Sequence, residues 1–155
     1  MANWIDELCE EILRDGRHKS VAEELRLHRA GVLEQEGRFF FEELRREVKD
    51  GLPTIGTRLG LSPADLRFEG KDDFFQITNH SHYPVVTVKA EYMLKRVLLN
   101  IKRKQADVRT PAEETRDSID FCVKADDELY FCHKGTTLPG IDEAVKLVFR
   151  PLFST

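Results

Sequence analysis

The spacing of apolar residues changes once along this chain, and any fold must satisfy both periods. Up to about Leu52 they recur at helical intervals. From Leu66 to His133 most sit in short alternating runs between turn residues, and helical spacing returns only at the C-terminus. That succession predicts an α+β protein. It would have two N-terminal helices (the second one long), an antiparallel five- to six-stranded meander, and a C-terminal helix packing on the sheet. At 155 residues, with no repeat, low-complexity tract or dividing linker, the chain reads as one domain over residues 1–155.

Trp4, Ile5, Leu8, Cys9, Ile12 and Leu13 form a broad stripe on the first helix, placing Cys9 in the core. Asn3 is suited to cap it and Gly16 to end it. Ser20-Val21-Ala22-Glu23 fits a capping box for the second helix. Val21, Leu25, His28, Val32, Gln35 and Phe39 then mark one seam, which Phe40, Leu44 and Val48 continue with a small drift. Asp50-Gly51-Leu52-Pro53 is a stop signal, and Gly31 and Gly37 are where the helix could bend. Phe39, Phe40 and Phe41 cannot all face one way. Two are expected in the core and the third under a loop, unless it marks a partner surface.

Leu66–Glu69 and Phe74–Asn79 flank a turn and predict a hairpin, followed by a loop at Asn79–Pro84 and a strand through Val86, Val88, Ala90 and Tyr92. Lys95–Lys104 fits either period. A strand is preferred because a meander across Leu94–Arg96 leads directly into the following loop. Ala106–Asp117, polar and containing Pro111, is expected to be a mobile loop. Ile119–Lys124 and Leu129–Lys134 predict a last hairpin, with Ile119, Phe121, Val123, Leu129, Phe131 and His133 on the core face. A three-residue loop, Asp126–Glu128, would set Cys122 opposite Cys132, a strained and reducible pair if joined. Gly135–Gly140 turns out of the sheet. Ile141, Val145, Val148 and Phe149 form the final helix, which Pro151 should end or kink.

The net charge of −4 gives no reason to expect a polyanionic partner, although residues 52–105 are basic, with 9 Lys and Arg against 5 Asp and Glu. Lys95, Arg96, Lys102, Arg103 and Lys104 supply much of that charge. They read as a solvated strand end or as a docking surface for an acidic protein, with nucleic acid less suited because no base-stacking aromatic pattern accompanies them. His80 and His82 could share one side of an extended segment as metal ligands. A third ligand (His133, Asp72, Asp73 or Cys132) would have to come from the fold, so no metal and no cofactor are expected. Glycine-rich phosphate loops, nucleophile elbows and zinc-protease helices do not occur, and catalysis finds little support. The amphipathic start does not resemble a leader, no apolar run exceeds four residues, and three cysteines make no disulfide framework. The cytoplasm is the expected location, with no membrane association.

These observations favour a non-enzymatic protein-binding, adaptor or chaperone-like domain that self-associates, as a homodimer or with another protein. Its surface would draw on Phe39, Phe40, Phe41, Lys95, Arg96, Lys102 and Arg103. The alternative is a small-molecule-binding protein or enzyme with a pocket between the sheet and the long helix. Phe75, Ile77, Val86, Val88, Tyr92 and Phe121 would line it, with His80, His82 or His133 as the polar tip.

Overall fold

The computed structural model describes residues 3–153, residues 125 and 127 excepted, with the backbone alone at residues 3 and 18–20. One helix, α1 (Asn3–Arg58), takes the place of the two expected. It passes unbroken through Gly16, Gly31, Gly37 and Pro53. The side chains of Asn3 and Ser20, expected as caps, lie outside the described residues, but the backbone is helical at both positions. A glycine costs only ~1 kcal/mol inside a helix, too little to break one with good neighbours. Pro53 costs more, roughly 3 kcal/mol. Its ring sits on the exposed side while Val48, Leu52 and Ile55 carry the buried stripe past it, so burial outweighs the lost backbone bond. The helix ends shortly after, where Gly60 adopts φ +72°. There Leu61 N–H donates to Gly56 C=O at 2.8 Å and Gly60 N–H to Thr57 C=O at 3.2 Å, the paired bonds of a Schellman cap.

Seven strands follow: β1 (Leu66–Gly70), β2 (Phe74–Asn79), β3 (Val85–Met93), β4 (Arg96–Lys104), β5 (Glu113–Val123), β6 (Leu129–His133) and β7 (Thr136–Thr137). They pair in chain order, all antiparallel, as the meander predicts. The strand preferred for 95–104 is β4. Two boundaries differ from expectation. The last five residues of the predicted mobile loop Ala106–Asp117 are the start of β5, where Glu113 and Glu114 lie opposite Arg103 and Lys102. Hydrophobic periodicity cannot see a strand end held by charge. The seventh strand arises because Lys134 (φ 51°) and Gly135 (φ 81°) both take the left-handed conformation. They form a two-residue hairpin turn that sets His133 opposite Thr136.

The last helix, α2 (Ile141–Phe153), is not ended by Pro151. Ala144, Val148 and Leu152 keep one buried stripe through it. Leu152 C=O, near the helix end, accepts from the fully buried Asn79 Nδ2 at 2.9 Å.

One face of the sheet carries the core. Phe75, Ile77, Val86, Val88, Val97, Leu99 and Ile119 point to it, and the second half of α1 crosses it against β5, β6 and β1 while α2 covers β2 and β3. Phe41 packs between Phe75 and Tyr92, with ring centroids 5.6 and 5.7 Å away. Phe40 stacks on Phe131 at 3.8 Å and meets Phe121 edge-on at 5.8 Å. Among the described residues no helix covers the opposite face.

Candidate functional site

The strongest departure from a closed fold is the first half of α1. From Trp4 to Gly31 every residue whose side chain is described is exposed, and burial begins at Val32 and Leu33. Residues 3–32 thus form a projecting arm, ~45 Å long at 1.5 Å per residue. Trp4, Ile5, Leu8, Ile12, Leu13, Val21, Leu25 and Leu27 on it are 44–66% exposed. Cys9, expected in the core, is exposed as well. Sequence periodicity locates these stripes correctly. What it cannot reveal is that the sheet is too short to cover them.

The arm carries two apolar stripes on different sides. Ile12 and Val21 are nine residues apart, about two and a half turns, so the seam from Val21 to Phe39 lies half a turn around from the tip stripe. The buried face formed by Phe41, Leu44 and Val48 lies on the tip-stripe side. Phe39 and Phe41, separated by about 200° of rotation, are accordingly 63% and 0% exposed. Two of the three adjacent phenylalanines therefore enter the core, and the third stands on the outer seam instead of under a loop. Beside it Gly31, Glu34, Gln35, Arg38 and Glu42 shape a shallow hollow of about 390 Å³.

The root of the arm is fixed by polar contacts. Arg38 lies over the Tyr92 ring, 4.7 Å from its centroid, and reaches Asp73 Oδ1 at 3.3 Å. Tyr92 Oη donates to Glu34 C=O at 3.3 Å. Burial raises the Tyr92 phenol above its ordinary pKa, with Arg38 opposing and Glu34 and Asp73 adding to the rise.

The other site candidates are dispersed. His80 and His82 lie in the β2–β3 loop, both exposed. His133 lies on β6, separated from β3 by β4 and β5, and its Nε2 bonds Asp117 Oδ2 at 2.6 Å. Among the described residues no three His, Cys, Asp or Glu side chains converge as metal ligands would. Part of the basic group is met from within. Arg96 faces Asp120 at 3.7 Å, Lys102 faces Glu114 at 4.0 Å, and Arg103 is in register with Glu113. Lys95 is exposed in the β3–β4 turn. Cys122 lies opposite Tyr130 and Cys132 opposite Asp120, because the hairpin turns one residue earlier than expected, with Lys124 N–H donating to Glu128 C=O at 2.9 Å, and both thiols are free. The two are diagonal neighbours on the uncovered face. There burial, with Cys132 alongside, raises the Cys122 thiol above its ordinary pKa.

The residues expected to line a pocket under the helix are core residues. Phe75, Ile77, Val86 and Val88 are fully buried, and Phe121 meets Tyr92 and Phe131 at 6.4 and 5.4 Å between ring centroids. A large hollow lies elsewhere, between the end of α1 and α2. It is a groove of about 720 Å³ with apolar walls from Ile55, Leu59, Val145, Phe149 and Phe153 and a rim of Arg58, Lys146 and Arg150. Sequence reasoning misses it because a stop at Pro53 removes Ile55–Leu59 from the helix. The recurring apolar positions Leu52, Ile55 and Leu59 are the available signal.

No protein-family model matches the chain, and no curated protein or solved structure resembles it significantly.

Proposed function

We propose that this is a non-enzymatic protein-binding module, adaptor- or chaperone-like, that self-associates through the projecting half of α1. One observation carries the reading: the first half of the helix stands off the domain with its large apolar side chains, Trp4 to Leu27, about half exposed. A helix without tertiary contact is marginal in water, since its stability normally comes from packing one face. Covering a half-exposed Leu, Ile or Val gains about 1 kcal/mol. A partner laid along one stripe of the arm therefore gains on the order of 3–5 kcal/mol per copy, against association costs of several kcal/mol. Gly31 lets a second helix approach the seam closely, and Phe39 extends that seam onto the folded domain. The free thiols of Cys9, Cys122 and Cys132 suit a reducing compartment, which supports a cytoplasmic location; no helix among the described residues is long and apolar enough to cross a membrane. The internal pairing of the basic strand residues argues against a phosphate backbone as partner.

The test is sedimentation equilibrium of the full chain from about 1 to about 200 µM, concentrations that correspond to dissociation free energies of roughly 5 to 8 kcal/mol, with Leu25→Asp and Val32→Asp beside it. These substitutions sit on the seam and outside the buried core, so the variants should keep the far-ultraviolet spectrum of the sheet and lose the dimer. A wild-type chain that stays monomeric throughout defeats the proposal.

A further inference from the structure

Two apolar rows and three cations meet where the end of α1 lies against α2. On α2, Val145, Phe149 and Phe153 recur at intervals of four, a single row along the helix. Lys146 and Arg150 form the next row toward solvent. On α1, Ile55 and Leu59 make the matching apolar row, with Arg58 beside it. The groove is therefore apolar inside and positively charged on both edges. Lys146 is shared with Glu143 at 3.2 Å, but among the described residues no carboxylate lies within ion-pairing distance of Arg58 or Arg150. Each of these arginines stands in the last turn of its helix, where the dipole favours a cation without tying it to a carboxylate. We infer that this groove is a second binding site, which receives an acidic amphipathic helix from another protein.

Shape and charge select that occupant. The row from Val145 to Phe153 spans ~12 Å, a little over two turns of helix. It matches a segment with apolar residues at i, i+4 and i+7, the usual anchors of a helix laid in a groove. Carboxylates on either side of that stripe would meet Arg58 on one edge and Lys146 and Arg150 on the other. A basic segment would instead set like charges together, which costs affinity. The hollow is open to solvent along its length, whereas small-molecule sites enclose most of their ligand. Leu59, 54% exposed, leaves apolar area for a partner to cover. The site also lies apart from the outer seam. Ile55 follows Val48 by seven residues, about two turns, and so sits on the buried side of α1, half a turn from the seam of Val21 to Phe39. The groove therefore stays free when two arms pair, and its occupancy does not depend on self-association.

The test is fluorescence anisotropy of the full chain with labelled, helix-stabilised peptides about 16 residues long. The first carries leucine at i, i+4 and i+7 flanked by glutamates. The second has lysine for every glutamate, and the third has glutamine for every leucine. Wild type should bind the first about tenfold more tightly than either of the others. Arg58→Glu with Arg150→Glu should weaken the acidic peptide about tenfold and reverse the preference toward the basic one. Leu59→Gln should weaken it about fivefold, while Leu25→Asp on the arm should leave it unchanged. All four positions are exposed, so an unaltered urea midpoint shows that each variant is folded. No binding of the acidic peptide below about 1 mM, equal affinity for acidic and basic peptides, or a loss that follows Leu25→Asp and not Leu59→Gln overturns the assignment. Binding of decanoate without the acidic peptide would give the groove to a fatty acid. Loss of a wild-type dimer in the Arg58→Glu, Arg150→Glu variant would give it to a second copy. Either overturns the acidic helix as its occupant. If the chain dimerises but takes no peptide, the groove proposal fails and seam pairing survives.

Discussion

Replacing Gly37 with alanine sets two effects of opposite sign against each other, and the structure says which wins. In an exposed helix interior the change should stabilise by about 1 kcal/mol, because alanine loses less backbone entropy. Gly37 is not exposed. A Cβ placed there would lie 2.8 Å from Phe121 Cε2 and 2.9 Å from its Cδ2. The Phe121 ring is hemmed by Phe40, Phe131 and Tyr92 and has little freedom to retreat. Forcing a methyl group into such a core costs about 1–3 kcal/mol, so Gly37→Ala should range from neutral to about 2 kcal/mol destabilising. Gly51 is the internal control. It lies in the same helix with no atom within 4 Å of its would-be Cβ, and Gly51→Ala should gain up to ~1 kcal/mol. The two variants should differ by about 1–3 kcal/mol, or roughly 2–12 °C in Tm for a protein of this size. Thermal unfolding at one fixed concentration measures this, since self-association makes Tm concentration-dependent. If Gly37→Ala raises Tm as much as Gly51→Ala, the close packing of α1 on the sheet is wrong.

Phe41→Ala should cost about 3–5 kcal/mol of stability in urea denaturation. Phe39→Ala should stay within about 0.5 kcal/mol while weakening the dimer in sedimentation; equal effects would refute the inside–outside assignment. Asn79→Ala removes the bond to Leu152 C=O and the acceptor used by the Ser81 N–H and hydroxyl, and should cost about 1–3 kcal/mol by the same assay. Cys122 and Tyr92 are both raised in the folded state, chiefly by burial. Their contribution is therefore complete below the ordinary thiol and phenol pKa values and is lost as pH climbs through the raised ones. The urea midpoint in reducing buffer should fall above about pH 9, and Cys122→Ser should remove the thiol share of that slope. A midpoint flat to about pH 10.5 contradicts it.

Much of the fold is legible in the residues. The switch of period predicts helix, meander and helix. The alternation in Phe74–Asn79 and Val86–Tyr92 sets the core face, and the Lys95–Lys104 strand follows from connectivity. Boundaries are less legible where tertiary burial overrides local chemistry. Ser20 and Pro53 carry genuine punctuation, yet a helix with apolar residues on both sides of each continues through them. Whether Cys122 faces Cys132 depends on where the hairpin turns, and a turn centred one residue earlier gives each thiol a different partner. The candidate site is half visible. The seam from Val21 to Phe39 is written in the spacing, but whether a seam is core or surface depends on how far the sheet extends. The groove needs two segments, Ile55–Leu59 and Val145–Phe153, that only folding brings together.

Every strand of the meander bonds to the strand before it in sequence, so the sheet can zip up hairpin by hairpin without distant partners. The helix that must cover it is synthesised first and waits. Until Phe75, Tyr92 and the strands after them have emerged, the stripe of Phe41, Leu44 and Val48 lacks its cover. A nascent chain that has completed α1 but not the strands that cover it therefore presents a long, sticky rod to its surroundings during translation. The interval between making that rod and making its cover is when this protein is most exposed to mispairing with its own kind.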